Sequence, residues 1–140
     1  MPEKCEYTAY IDGASSGNPG DAGIGVVVYR DGEEIARESK YIGKQTNNVA
    51  EYSALIRLLE MLENHSIKEV KVYSDSELLV KQVLGEYKIK NEALRELMSR
   101  IAQHKKRIKF TIEHVRREKN SEADKLAKAA SKRGEMIQDV

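Results

Sequence analysis

Gly23-Ile24-Gly25-Val26-Val27-Val28-Tyr29-Arg30-Asp31-Gly32 decides the fold. Its first seven residues are β-branched and almost continuously apolar, the pattern of a strand buried on both faces. Asp31-Gly32 then supplies two residues that tolerate positive φ, as a two-residue hairpin loop requires. The chain is therefore predicted to return as a third strand over Glu34–Ile42. Upstream, Tyr7–Gly13 reads as a strand ending in a turn, so the first three strands form an antiparallel meander. The Gly-rich segment Gly13–Gly25 reads as a loop between strands. It lacks the Lys-Ser/Thr ending of a phosphate-binding loop and no helix follows it, which argues against nucleotide cradling.

Downstream of the meander the period changes. Val49, Tyr52, Leu55, Ile56, Leu59 and Leu62 recur every three or four residues and predict an amphipathic helix over Asn48–Asn64. Val70–Ser74 is a fourth strand, Ser76–Leu84 and Asn91–Gln103 are helical, and Ile108–His114 alternates as a fifth strand. A last helix is expected from Ser121 to about Lys132, with Gly134 placed to stop it. The order βββαβααβα predicts an α/β fold, with helices flanking a five-stranded mixed sheet whose first three strands are antiparallel.

At 140 residues the chain suits one domain, 1–140, around one hydrophobic core. No apolar run is long enough to span a bilayer, and the first residues lack the apolar stretch of a signal peptide. The single cysteine, Cys5, cannot form an internal disulfide, which points to a reducing, cytoplasmic setting. The net charge of +1 hides an asymmetry: residues 1–63 carry net −5 and residues 64–140 net +6. Lys105–Lys119 alone holds seven basic residues against Glu113 and Glu118. Such a split permits a polyanionic partner, although one basic run taken alone reads first as a solvated face.

The candidate chemistry lies in Asp12, Glu51, Asp75 and Asp124. Each has a purely local reading. Asp12-Gly13 suits a turn at a strand end, Asn48-x-x-Glu51 and Ser121-x-x-Asp124 approach capping boxes, and Asp75 can cap the helix beginning at Ser76. Their joint placement supports another. Asp12 ends the first strand and Asp75 the fourth, and a right-handed crossover would lay these strands side by side and parallel. Ligand sites of open α/β sheets lie at the carboxyl ends of strands where the order switches direction. Glu51 and Asp124 begin helices that pack on that sheet. Four carboxylates brought together repel and resist desolvation, a conflict that a hard divalent cation resolves. All-oxygen ligation suits Mg²⁺ or Mn²⁺, and two such ions could act as a clamp for phosphoryl displacement.

Four runs carry a family resemblance. Tyr10-Ile11-Asp12-Gly13-Ala14-Ser15-Ser16-Gly17-Asn18-Pro19-Gly20, Thr46-Asn47-Asn48-Val49-Ala50-Glu51, Tyr73-Ser74-Asp75-Ser76 and Asn120-Ser121-Glu122-Ala123-Asp124-Lys125-Leu126-Ala127 resemble, in order, the signature segments of type 1 ribonucleases H. The resemblance spans nearly the whole chain. It implies the ribonuclease H-like fold and two-metal hydrolysis of the RNA strand of an RNA–DNA hybrid, leaving 5′-phosphate and 3′-hydroxyl ends. It implies Mg²⁺, with Mn²⁺ as a substitute, two ions per site. Asp12 would bridge both ions, Glu51 and Asp75 would complete one position, and Asp124 would hold the other. Glu51 would also sense the RNA 2′-hydroxyl.

The same resemblance places Gly13, Ser15, Asn18, Asn47 and Asn48 at the hybrid, with the three asparagines in its minor groove. It places Lys44, Thr46 and Asn91 around a DNA-strand phosphate. Asn18-Pro19-Gly20 is also a good turn and Asn48 a good N-cap. The chain resembles the compact, archaeal-like branch most. The stretch Gly85–Asn91 is short where many relatives insert a basic, Trp-containing helix, and the chain has no Trp. Lys81, Lys88 and Lys90 are partial compensation. No hybrid-binding domain is expected before Tyr7. Many relatives carry a His in the loop before the last acid. Here His114 falls at the end of the fifth strand, so Arg117 or Glu118 is a substitute for it in product release. The expected partner is an RNA–DNA hybrid, with double-stranded RNA as a wider substrate and no membrane. A monomer is expected. A nucleic-acid-binding domain without catalysis is the alternative, disfavoured because all four acids are present.

Overall fold

The computed structural model describes residues 5–138, with side chains described through residue 134. The strands are β1 (Tyr7–Ser15), β2 (Gly20–Arg30), β3 (Glu33–Gln45), β4 (Glu69–Ser74) and β5 (Lys109–His114). The helices are α1 (Asn47–Asn64), α2 (Glu77–Val83), α3 (Glu92–Lys105) and α4 (Ser121–Gln138), with one 3₁₀ turn at Arg117–Lys119 that the sequence pattern does not announce. The sheet order is β3-β2-β1-β4-β5, with β1–β3 antiparallel and β4 and β5 parallel to β1. This is the expected α/β architecture and element order. No helix among the described residues is long and apolar enough to cross a membrane.

The hairpin forms as its residues require: Asp31 and Gly32 have φ of 49° and 85°. β2 is buried along nearly its whole length, because α1 covers one face and α4 the other. On the α1 side, Tyr52, Leu55, Leu58, Leu59 and Leu62 pack over Ala9, Ile11, Ile24, Val26 and Val28. Each such aliphatic side chain contributes roughly 1.5–3 kcal/mol on burial. On the other face, α4 lays Ala123, Ala127 and Ala130 against Gly23 and Gly25. A Cβ at Gly25 would stand 2.2 Å from the Ala123 carbonyl oxygen, and one at Gly23 2.5 Å from that of Ala127.

Three local expectations need correction. The Gly-rich segment is mostly strand: β1 runs on to Ser15 and β2 starts at Gly20, which leaves a loop at residues 16–19 containing a cis Asn18–Pro19 bond. Its glycines serve helix–sheet approach as well as turning. α1 is capped by Thr46, whose Oγ1 accepts from the Val49 N–H at 3.2 Å, so Asn48 lies inside the helix and is not its cap. Gly134 does not stop α4, which continues to Gln138. A stop would need the left-handed φ that Gly134 lacks. Instead the missing Cβ makes room for Tyr41, whose Cε1 would lie 2.0 Å from it.

Candidate active site

The acids gather at one end of the sheet for identifiable reasons. Ile11 pairs with Ser74 across the parallel β1–β4 ladder, so Asp12 and Asp75 leave neighbouring strands at the same level. β1 is also where the sheet changes from antiparallel to parallel pairing, the switch point at which α/β sheets open a ligand crevice. Glu51 arrives from the second turn of α1. Its approach depends on Gly13, where a Cβ would stand 2.3 Å from the Ala50 carbonyl carbon and 2.4 Å from the Glu51 nitrogen. The Gly13 backbone amide beside the Glu51 carboxyl favours its charged form and works against the effect of burial. Asp124 comes from the first turn of α4, seated by Gly25, and hydrogen-bonds to Asp12.

The capping alternatives do not hold for Glu51 and Asp75. With Thr46 as the cap, Glu51 is too far into α1 to cap it, and α2 is capped by the Ser76 hydroxyl, which accepts from Leu79 N–H. One carboxylate oxygen from each of Asp12, Glu51 and Asp75 lies within 4.8 Å of the other two. Asp124 adjoins this triad through Asp12.

Burial dominates the electrostatics. Asp12 is 4% exposed and Glu51 5%. Desolvation, reinforced by Glu51 and Asp75, pushes Asp12 up to about 10, and desolvation pushes Glu51 up to about 8. At Asp124 burial also raises, but the Lys128 ammonium at 3.0 Å, the bond with Asp12 and the Arg117 charge outweigh it and hold this carboxyl below its usual range. Glu51 Oε2 and Asp75 Oδ2 are buried without a hydrogen-bond partner. Orphaned, mutually repelling oxygens of this kind fit a hard divalent cation, and neither histidine nor cysteine belongs to the cluster.

The residues assigned by resemblance have the following places. Ser15 donates to the Gln45 carbonyl at 2.9 Å and joins the ends of β1 and β3. Asn18 Oδ1 accepts from the Asn47 N–H at 3.1 Å, which fastens the β1–β2 loop to the start of α1 and leaves its amide Nδ2 to donate elsewhere. Asn47 and Asn48 are exposed in the first turn of α1, beside exposed Lys44 at the end of β3. Asn91 caps α3 by accepting from the Leu94 N–H at 3.1 Å, and α3 packs on α1. His114 is the exposed last residue of β5, level with Ser74. Arg117, 76% exposed, holds its Nε 4.0 Å from Asp75 Oδ2, and Glu118 is exposed beside it in the 3₁₀ turn.

Two participants have no role assigned to them by the sequence reading. Lys128 pairs with Asp124 at i,i+4, a spacing that could have disclosed it. Asn120 is 1% exposed and its Nδ2 donates to the Ile11 carbonyl at 2.9 Å, where position alone suggests an ordinary cap.

This sheet order, with acids at the switch point and helices on both faces, is that of the ribonuclease H fold. The family described as Reverse transcriptase-like matches residues 10–130. Ribonuclease HI of Halobacterium salinarum is 40% identical over 124 residues, 87% of this chain, but the chain spans only 62% of that protein's length. Ribonuclease H of Ruegeria pomeroyi is 34% identical over 91% of this chain and 93% of its own length. A ribonuclease H1 from compost, LC11, solved in complex with an RNA/DNA hybrid, superposes with a TM-score of 0.87 at 44% identity, over 91% of this chain and 98% of that one. The chain belongs to the type 1 ribonuclease H family.

Proposed function

We propose that this protein is an endoribonuclease that hydrolyses the RNA strand of RNA–DNA hybrids with two divalent ions, Mg²⁺ or Mn²⁺, leaving 5′-phosphate and 3′-hydroxyl ends. The observation that carries the reading is the buried carboxylate cluster of Asp12, Glu51 and Asp75, extended by Asp124, in a chain of this family. When bound, the ions would activate water and stabilise the leaving oxygen of an in-line displacement. Asp12 touches both Glu51 and Asp124, which suits it to bridge the two positions. Glu51 and Asp75 would complete one position and Asp124 the other.

The remaining residues bind and orient. Asn18, whose Oδ1 accepts from the Asn47 N–H, and the exposed Asn47 and Asn48, about one turn before Glu51 on α1, would meet minor-groove base edges and sugars. Gly13, against which α1 packs closely, and Ser15, bonded to the Gln45 carbonyl, would lie along the bound hybrid. Lys44, Thr46 and Asn91 would receive a DNA-strand phosphate. Glu51, packed next to these amides, would read the 2′-hydroxyl that distinguishes RNA from DNA. Arg117 stands over the acids and would assist product departure, with His114 and Glu118 flanking it.

Residues 1–140 would work as a single catalytic domain and as a monomer, and the lone Cys5 suits a cytoplasmic setting. The decisive assay compares RNA–DNA hybrid, double-stranded RNA and single-stranded RNA, using wild type and Asp75→Asn with Mg²⁺ or Mn²⁺. Wild type should cut the RNA of the hybrid and Asp75→Asn should not. Cutting of double-stranded RNA at a comparable rate would widen the substrate class. A wild type that leaves the hybrid intact with either ion would sink the proposal.

A further inference from the structure

α4 carries Asp124, so the geometry of the centre depends on how this helix is fastened to the sheet. Among the described residues, two buried side chains tie it down: Asn120 Nδ2 donates to the Ile11 carbonyl at 2.9 Å, and Ser131 Oγ to the Asp21 carbonyl at 2.7 Å. The ties differ in place. Ser131 lies seven residues beyond Asp124 along α4. Asn120 lies between the two acids: its side chain grips the residue before Asp12, and its own carbonyl accepts the Asp124 N–H at 3.0 Å.

An asparagine preceding a helix usually turns its side-chain oxygen onto the first-turn N–H groups. Asn120 does not. Its Oδ1 is buried without a partner, while the donor end faces β1. Leaving a buried acceptor without a partner carries a desolvation cost that a residue serving only as a cap would have no reason to bear.

We propose that Asn120 is a positioning residue that sets the spacing between Asp12 and Asp124. This rests on the metal-centre reading above. Partners standing behind a metal's direct ligands typically alter metal affinity by about 10–100-fold.

The test titrates Mn²⁺ against the 140-residue protein, following heat release and unfolding temperature, for wild type, Asn120→Ala, Asn120→Ser and Ser131→Ala. Asn120→Ala and Ser131→Ala should both lower the unfolding temperature without metal. Only the Asn120 variant should need about 10–100-fold more Mn²⁺ to reach its midpoint. Asn120→Ser, which keeps a hydroxyl donor on a shorter arm, should fall between and serves if the alanine variant does not fold. In an Asp124→Ala background, Asn120→Ala should weaken Mn²⁺ binding no further. An unchanged midpoint in the Asn120 variants overturns the proposal, as does an equal shift in Ser131→Ala or additivity with Asp124→Ala. A wild type indifferent to Mn²⁺ instead overturns the metal centre itself, and this assignment with it.

Discussion

The two faces of the sheet are built on opposite principles. The α1 face is a conventional aliphatic core, with leucines of one helix set into Ile11, Ile24, Val26 and Val28. Where α4 crosses β2 the other face has little side-chain thickness: alanines of the helix rest on Gly23 and Gly25, and polar side chains bond to backbone carbonyls across the seam. The first arrangement supplies stability and can absorb a lost methyl group by relaxing. The second brings backbone to backbone and fixes position, because nothing soft lies between. The acids sit where the faces meet. Asp12 shares its face of β1 with Gly25 and α4, whereas Glu51 reaches in from α1 over Gly13. Stability and alignment of the centre should therefore be separable by mutation.

The largest effect belongs to the residue at the junction. Asp12→Asn should lower hybrid cleavage by at least about 10³-fold while making the metal-free protein more stable, by on the order of 1–3 kcal/mol near neutral pH. An active Asp12→Asn variant in a cleavage assay would remove the junction from the chemistry. Next comes a pair that contrasts the faces. Leu58→Ala should cost about 2–5 kcal/mol in chemical denaturation yet leave the Mn²⁺ midpoint of the folded protein unchanged. Gly25→Ala should cost about 1–3 kcal/mol and also weaken Mn²⁺ binding, because α4 must lift and carry Asp124 away. If both variants bound Mn²⁺ like wild type, the contrast between the faces would fail.

The metal-free centre also predicts a pH dependence. Asp12 and Glu51 titrate higher folded than unfolded, at about 10 and about 8, so the folded protein binds more protons. Their contribution is fully present below the ordinary carboxylate range and is lost as pH rises through those values. Asp124, held low, contributes in the opposite sense, losing its share only in acid. In EDTA the unfolding temperature should fall between pH 5 and pH 9 by several degrees, and saturating Mg²⁺ should flatten the profile. A flat profile without metal would show that the carboxylates are not held against desolvation. The smallest effect is at the far end of α4. Gly134→Ala should destabilise by about 1 kcal/mol despite alanine's higher helix propensity, since Tyr41 fills the space. A more stable variant would mean that the close packing of the α4 face ends before residue 134.

What was legible in the sequence was what short-range geometry encodes. Asp31-Gly32 specifies a hairpin because both φ values are positive within two residues. The leucine spacing of α1 specifies a helix because its period is local. The acids stood out because each lies in a short motif, and the order of motifs matched a known family. What could not be read were choices settled between distant segments. Thr46 rather than Asn48 caps α1 because β3 extends to Gln45. Gly134 remains helical because Tyr41, far away in the chain, lies on it. Asn120 reaches across to Ile11 instead of capping its own helix.

The sequence by itself determined the element order, the meander and the identity of the four acids. Each depends on residues within a turn or two of one another, or on a recognisable string. Only the tertiary structure decided that these acids meet, that burial pushes two of them above the ordinary carboxylate range, and that glycines let the backbones carrying them approach so closely. Those outcomes depend on how closely separate backbones approach, and backbone proximity follows from the packing of the whole sheet.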